Sequence, residues 1–263
     1  MRRLSAALLL AATLGCRTAG PAATPQVPAP PPGPTPTAAT PAVPAGPTPA
    51  AEPMPLAIRW SRESAEHRAV FLQVFAMAAA RIEREAQARP AGTWAIVSDA
   101  DETLIDNSTY QLEQAERGKG FEPLSWRAWT ARKAATALPG AAAFLARVRA
   151  LGGRIAIVTN RAASECPDTE EVFRKEGLAY DAMLCMAEGG PSDKNPRFEA
   201  VAKGTTPAGL PPLEVLAFLG DNIRDFPALG QKVKDEPDSA FAAFGTRFFV
   251  LPNPMYGSWE PRK

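Results

Sequence analysis

The chain has 263 residues, a formal net charge of +1, 28 prolines, three cysteines and one histidine. A near-neutral chain in which no basic run interleaves with aromatics is not built to coat a nucleic acid polymer. The lone His67 lies in a helical stretch away from every other motif, and neither Cys166 nor Cys185 has Arg six residues on. A histidine triad or a multi-histidine zinc site would have to recruit His67, and the cysteine-phosphatase pattern is absent; His67 is expected to be an ordinary surface or boundary histidine.

Met1-Arg2-Arg3 is a positive start, Leu4 to Leu14 an apolar run, and Gly15-Cys16 closes it. The pattern reads as a secretory signal of lipoprotein type over residues 1–15, cleaved before a lipidated Cys16. It is too short to span a bilayer. Thr13 stands where such processing sites usually carry Leu, and secretion without a lipid is the alternative. Residues 16–55 then turn to Pro, Ala and Thr, with fourteen of the 28 prolines between Pro21 and Pro55. Such a segment cannot bury a core and is expected to be a disordered tether, reaching roughly 100 Å at about 3.1 Å per residue. With Cys16 set aside, Cys166 and Cys185 form an even pair, able to make a disulfide in an oxidising compartment or to stay as two buried thiols.

Residues 56–263 are enough for one well-buried domain. Ser61 to Arg89 reads as one long helix with an apolar stripe of Val70, Phe71, Val74, Phe75, Met77, Ala78 and Ile82, ended by Pro90-Ala91-Gly92. Trp94 to Ser98 is the first strand. Residues 106–137 are polar and aromatic, weakly periodic, and read as an insertion outside any sheet. Pro139 to Leu151 is helical, Arg154 to Val158 a second strand, Asp168 to Glu176 a helix and Ala182 to Met186 a third strand. Gly189 to Asn195 is a loop carrying Lys194. Glu214 to Leu219 is a fourth strand, a helix is expected near Pro227, and Thr246 to Leu251 is a fifth strand. Strands alternating with helices predict an α/β fold, a mostly parallel sheet covered on both faces.

The polar clusters fall just after strands: Asp99 and Asp101 after the first, Thr159 and Asn160 after the second, Lys194 after the third, Asp221 and Asp225 after the fourth. In a parallel sheet these ends share one edge, where open α/β sheets hold their ligands. The alternative is a set of loop acids capping helices. Two acids as close as Asp99 and Asp101 repel unless a cation or a shared proton offsets them. Asp99 is placed to attack phosphorus and form an acyl-phosphate. Asp101 projects to the same side and can protonate the leaving oxygen, then take a proton from water. Thr159 and Asn160 can hydrogen-bond phosphoryl oxygens, and Lys194 can offset their charge. Asp99, Asp221 and the Asp101 backbone carbonyl make an all-oxygen set suited to Mg2+, with Thr103 and Asp225 supporting it from behind.

Four segments in this order, S-D-A-D-E-T-L-I-D-N-S, V-T-N-R, Lys194 followed by Arg197-Phe198, and G-D-N-I-R-D-F, resemble the haloacid dehalogenase-like (HAD) phosphohydrolases. The upstream W-S-R-E-S-A-E and the terminal L-P-N-P-M-Y-G-S-W-E resemble, more narrowly, the bacterial class C acid phosphatases, the lipoprotein 5′-nucleotidase family. The resemblance implies a HAD-type Rossmannoid core with a small α-helical cap, Mg2+, an acidic pH optimum and a place at the outer membrane, periplasm or cell surface of a bacterium. It implies phosphomonoester substrates, nucleoside 5′-monophosphates among them, with a membrane lipid anchor and no nucleic acid polymer as partner. Aromatics of the cap and the C-terminal motif stack on the substrate's base in this family, which makes Phe121 and Tyr256 candidates; Tyr110, Trp126 and Trp129 are alternatives, or simply cap core. A phosphatase for another phosphomonoester, a phosphotransferase, and a non-catalytic surface lipoprotein are the competing readings. Cys166 and Cys185 lie outside the family pattern.

Overall fold

The computed structural model describes residues 53–260; the signal, Cys16 and most of the Pro-rich segment lie outside them. In chain order the elements are α1 (Leu56–Glu63), α2 (Ala65–Ala86), β1 (Trp94–Ser98), β2 (Ile105–Asp106), α3 (Ser108–Glu116), α4 (Pro123–Arg132), β3 (Thr136–Ala137) and α5 (Ala141–Ala150). There follow β4 (Arg154–Ala162), α6 (Cys166–Lys175), β5 (Ala182–Met186), α7 (Asn195–Lys203), β6 (Glu214–Gly220) and β7 (Phe248–Val250). Five strands form a sheet in the order β5-β4-β1-β6-β7, and every pairing in it is parallel. The order reverses direction at β1, so the chain leaves the sheet to opposite sides there and opens a crevice.

Strand alternation splits the core into two. Ile96, Ile155 and Ile157 point to one face, packed with Phe71, Phe75 and Ile82 of α2, Phe144 and Val148 of α5, and Phe173 of α6. Ala95, Val97, Ala156 and Val158 point to the other, packed with Phe198 and Val201 of α7 and with Phe226 and Phe248. This is the period-2 consequence of a sheet covered on both faces. Trp94 starts β1 against Gly153, where an added Cβ would run into the indole ring.

Several elements differ from the sequence expectation. The long helix is two: Ser64 adopts an extended ψ of 140° and its hydroxyl accepts the His67 amide, capping α2. The buried seam of α2 is His67, Phe71, Phe75, Ala78 and Ile82, while Met77 faces outward at 46% exposure. His67 is buried, not a surface residue, because the new helix start turns it between Trp60 and Phe71, with ring centroids 5.3 and 4.6 Å away. The second strand runs on to Ala162, so Thr159 and Asn160 lie within it, past a register shift after Val158. Lys194 is the residue that opens helix α7, unforeseen although Pro196 near its start, Phe198 and Val201 one turn apart, and Gly204 at its end all signal it. No long helix follows Pro227. Ala228 takes a left-handed φ of 60° and the segment continues as short 3₁₀ turns at Gln231–Asp235 and Asp238–Phe241.

The 106–137 insertion is helical as expected, with α3 and α4, but its two ends pair with each other. Ile105 opposes Ala137 and Asp106 opposes Thr136 in a two-residue antiparallel ladder separate from the main sheet. Arg62 of α1 donates to Ser108 and Thr109 at 3.0 and 2.9 Å, holding the start of α3. Cys166 and Cys185 are joined as a disulfide, Cα atoms 6.2 Å apart, tying the start of α6 to β5.

Two outcomes are expected. Burial holds the His67 imidazole below its ordinary value of 6.5, with Asp106 opposing part of the effect. Above that value neither folded nor unfolded chain binds a proton there. Below it the unfolded chain protonates first, so stability falls as pH drops. As the sole histidine, its proton NMR titration is unambiguous; a midpoint at or above 6.5 would contradict the burial account. Reduction of the disulfide, which spans 19 residues of chain, should lower unfolding free energy in urea by about 3 kcal/mol. Identical urea curves with and without reductant would show that the cross-link constrains nothing.

Candidate active site

β1 delivers Asp99 directly to the sheet edge. The Asp99 amide donates to the Leu219 carbonyl at 2.9 Å, so the β1–β6 ladder continues one residue beyond the strand and leaves the carboxylate at the crevice. The chain then turns tightly: the Leu104 and Ile105 amides both donate to the Ala100 carbonyl, at 2.9 and 3.0 Å, and Glu102 takes a left-handed φ of 52°. A non-glycine residue held there costs energy unless its surroundings fix it. The fixing contact is the Glu102 carboxylate, which accepts the Asn107 amide at 2.8 Å. That turn brings Asp101 back toward the cavity.

Lys194 stands at the centre. Its buried ammonium donates to Asp99 Oδ1 at 2.5 Å and to Asp225 Oδ1 at 2.6 Å. The other Asp225 oxygen accepts the Asn222 amide at 2.9 Å. Asp225 reaches this position only because Gly220 has no side chain, since a Cβ there would overlap the Asp225 side chain. Asp221 accepts from Asn253 Nδ2 at 2.8 Å and from the Thr103 hydroxyl at 3.5 Å. Asn253 comes from the C-terminal motif, and its own oxygen accepts the Met255 and Tyr256 amides at 3.0 and 3.4 Å.

The charges do not balance without help. Oxygens of Asp99, Asp221 and Asp225 lie within 4.8 Å of one another. Burial pushes Asp99 up to about 7, with Asp225 and Asp101 adding to the rise and Lys194 opposing it. Asp221 is raised well above the carboxylate range by burial and then by Asp225 and Asp99. Burial works against the Lys194 charge, but Asp225 and Asp99 outweigh it and the ammonium holds its proton more tightly than usual. A further cation among the carboxylates would return Asp99 and Asp221 to their ionised forms. The donors are all hard oxygens, as a divalent ion of the magnesium type requires. Asp225 is tied to the Lys194 ammonium and the Asn222 amide at 2.6 and 2.9 Å, whereas Asp99 uses only Oδ1 and the Asp221 Oδ1 contact to Thr103 is long at 3.5 Å, which leaves Asp99 and Asp221 as the carboxylates best able to ligate.

Thr159, Asn160 and Arg161 alternate along the end of β4. Thr159 is buried and its hydroxyl accepts the Arg161 amide at 3.1 Å. Asn160 is exposed, lines the cavity, donates to the Ser192 carbonyl at 3.0 Å and accepts from Arg197 at 2.6 Å. Arg161 turns inward and binds Asp101. A cavity of about 950 Å3 opens above these residues, lined by Asp99, Asp101, Asn160, Lys194 and Asp221 on its floor and by Phe121, Trp126 and Tyr256 higher up. Phe121 is 64% exposed, whereas Tyr110 and Trp129 are buried in the insertion. The structure thus brings Asp99, Asp101, Asn160, Lys194, Asp221, Asp225, Phe121 and Tyr256 to one cavity; Thr103 and Thr159 sit beneath it.

Arg161, Asn107, Glu102 and Asn253 were given no role by the sequence. For Arg161 a signal existed: in a strand extended to Ala162 it shares the inward face with Thr159. For Asn107 and Asn253 nothing in local sequence marks the contact.

A family model described as HAD superfamily, subfamily IIIB (acid phosphatase), matches residues 38–259. The class C acid phosphatase from Bacillus anthracis is similar in structure, with a TM-score of 0.68 and 29% identity over 77% of this chain and 84% of that one. Its tungstate-bound form gives a TM-score of 0.69 at the same identity and coverage. The all-parallel sheet, the carboxylates at the edge of its central strands and the family match over most of its length agree: this chain belongs to the HAD subfamily IIIB acid phosphatases, which are phosphomonoesterases.

Proposed function

We propose that this acid phosphatase is Mg2+-dependent, works through an aspartyl-phosphate at Asp99, and acts outside the cytoplasm on nucleoside 5′-monophosphates and related phosphomonoesters. The observation that carries this reading is the pairing of two different aspartates on one cavity floor. Asp99 is buried on Lys194, 2.5 Å away, and Asp101 is held by a separate cation, Arg161, at 2.8 Å.

An Asp99 oxygen attacks phosphorus; a P–O bond forms as the bond to the leaving oxygen breaks. Asp101 gives its proton to that oxygen, then accepts one from the water that displaces Asp99 from phosphorus. Lys194 offsets charge spreading over the phosphoryl oxygens, and Asn160 from the cavity wall and Thr159 beneath it hydrogen-bond them. Asp99, Asp221 and the Asp101 carbonyl would hold Mg2+, which supplies relief of the repulsion between anionic nucleophile and anionic ester. Thr103 and Asp225 support Asp221 and Lys194. The B. anthracis protein solved with tungstate bound supports an oxyanion site here, since tungstate and phosphate share tetrahedral geometry.

Phe121 and Tyr256, on the rim of a cavity far larger than a phosphate needs, support a planar leaving group such as a nucleoside. The positive start, apolar run and Gly15-Cys16 support export with a lipid on Cys16, and the Pro-rich residues 16–55 a tether from a bacterial membrane surface. No helix among the described residues is long and apolar enough to cross a membrane, so attachment in this reading rests on the lipid.

The test is hydrolysis of p-nitrophenyl phosphate and nucleoside 5′-monophosphates with Mg2+ and with chelator. Chelation should abolish turnover and Mg2+ restore it, and Asp99→Asn should lower kcat by more than about 10³-fold. Retention of a tenth of the rate would contradict the covalent route. Phe121→Ala should raise KM for nucleotides about tenfold, the worth of one stacked base, and leave KM for glycerol 2-phosphate, which has no planar ring to stack, unchanged. Equal effects on both would remove Phe121 from base recognition. Palmitate labelling that persists after Cys16→Ser would place the anchor elsewhere.

A further inference from the structure

Arg161 is a buried guanidinium, its side chain 1% exposed, on the boundary between the main sheet and the helical insertion. It donates to Asp101 Oδ1 from Nε at 3.0 Å and from Nη2 at 2.8 Å. Its remaining donors reach Asn107 Oδ1 at 3.1 Å and the Thr169 hydroxyl of α6 at 3.1 Å. The guanidinium lies 5.3 Å from the ring centroid of Trp126 on α4. Asn107 is fixed in turn: its oxygen accepts Trp129 Nε1 at 2.9 Å, and its amide nitrogen donates to Asp101 Oδ1 at 2.8 Å.

The two oxygens of Asp101 are treated unequally. Oδ1 accepts from two guanidinium nitrogens and from Asn107. Oδ2 has a single longer contact, 3.2 Å from Arg161 Nε. An oxygen surrounded by three donors has little room for a proton of its own. We infer that Arg161 is a positioning residue: with Asn107 it locks Asp101 so that Oδ2 is the oxygen that carries and delivers the proton to the leaving group, and it makes this orientation depend on α4 and α6 being docked. The inference rests on the proton-donor role of Asp101 given above. A planar five-donor fork can hold a carboxylate in one orientation while keeping two further anchors; a lysine ammonium cannot.

The consequence is specific to the leaving group. Nitrophenolate departs without a proton, whereas an alkoxide needs one as the P–O bond breaks, so loss of a positioned acid slows alkyl esters selectively. The quantity to read is kcat/KM, which covers steps only up to leaving-group departure. The later role of Asp101 toward water therefore drops out of the comparison.

With Mg2+ present, Arg161→Lys should lower kcat/KM for an alkyl phosphate such as glycerol 2-phosphate by about 10²-fold and for p-nitrophenyl phosphate by about threefold or less. Circular dichroism and thermal melting establish that the variant is folded. If Arg161→Lys does not fold, Thr169→Val, which removes only the guanidinium's anchor on α6, should shift the same ratio in the same direction by about threefold. Equal losses on both esters in the folded variants would overturn the positioning role, since a merely structural defect does not sort substrates by leaving group. Asp101→Asn separates the two claims. If it widens the ratio and the Arg161 and Thr169 variants do not, positioning by Arg161 falls and the acid role of Asp101 stands; if Asp101→Asn leaves the ratio at the wild-type value, both fall.

Discussion

The buried ammonium of Lys194 between Asp99 and Asp225, at 2.5 and 2.6 Å, is the contact on which the site depends. Three carboxylates whose oxygens lie within 4.8 Å of one another cannot all ionise in a buried setting without a counter-charge. Burial is the main reason that Asp99 and Asp221 sit above the carboxylate range, and the neighbouring carboxylates, which the single positive charge of Lys194 leaves in excess, add to it. The fold is arranged around that excess. β1 and β6 bring two of the carboxylates to a shared edge, Gly220 lets Asp225 close up behind them, and α7 begins at the lysine. A cation among these oxygens and a phosphoryl group above them are complementary to what the protein leaves unbalanced.

The second aspartate is kept out of this arrangement. Asp101 turns away from Lys194 onto Arg161, and the two acids of D-x-D are held by two separate cations in two separate hydrogen-bond systems. Proton carriers and nucleophiles need different environments, and adjacent carboxylates acquire different roles when their surroundings differ. The turn at Glu102 makes the separation geometric. The disulfide and the β2–β3 ladder bear on the same region: one ties the start of α6, which carries Thr169, to the sheet, and the other closes the base of the insertion that carries Asn107 and Trp126.

Much of this was legible in the sequence. β1 falls where its apolar run with Ile96 and Val97 begins and ends, because a central strand buried on both faces has little freedom in composition, and the apolar run of the edge strand β5 was likewise bounded as expected. The convergence of Asp99, Lys194 and Asp221 followed from parallel topology alone. What local sequence could not supply was tertiary. Ser64 breaks the expected helix near its start, in a polar stretch ahead of the apolar stripe, where its hydroxyl caps α2 in place of helix continuation. His67 becomes buried as a result. Arg161 and Asn253 hold Asp101 and Asp221 across 60 and 32 residues of chain respectively, and no spacing rule reaches that far. The C-terminal motif was recognisable as a pattern, but its function as the support of Asp221 through Asn253 appears only when the chain folds back on itself.

The central claim is that Asp99 forms a covalent bond to phosphorus. Acid-quenching the enzyme during turnover of a rapidly departing aryl phosphate, then reducing with borohydride, converts an acyl-phosphate to the alcohol. Peptide mass spectrometry should then find homoserine at position 99 and aspartate at 101, 221 and 225. Unmodified aspartate at position 99 in enzyme trapped under steady turnover, or a reduced residue at another of these positions, would contradict the account.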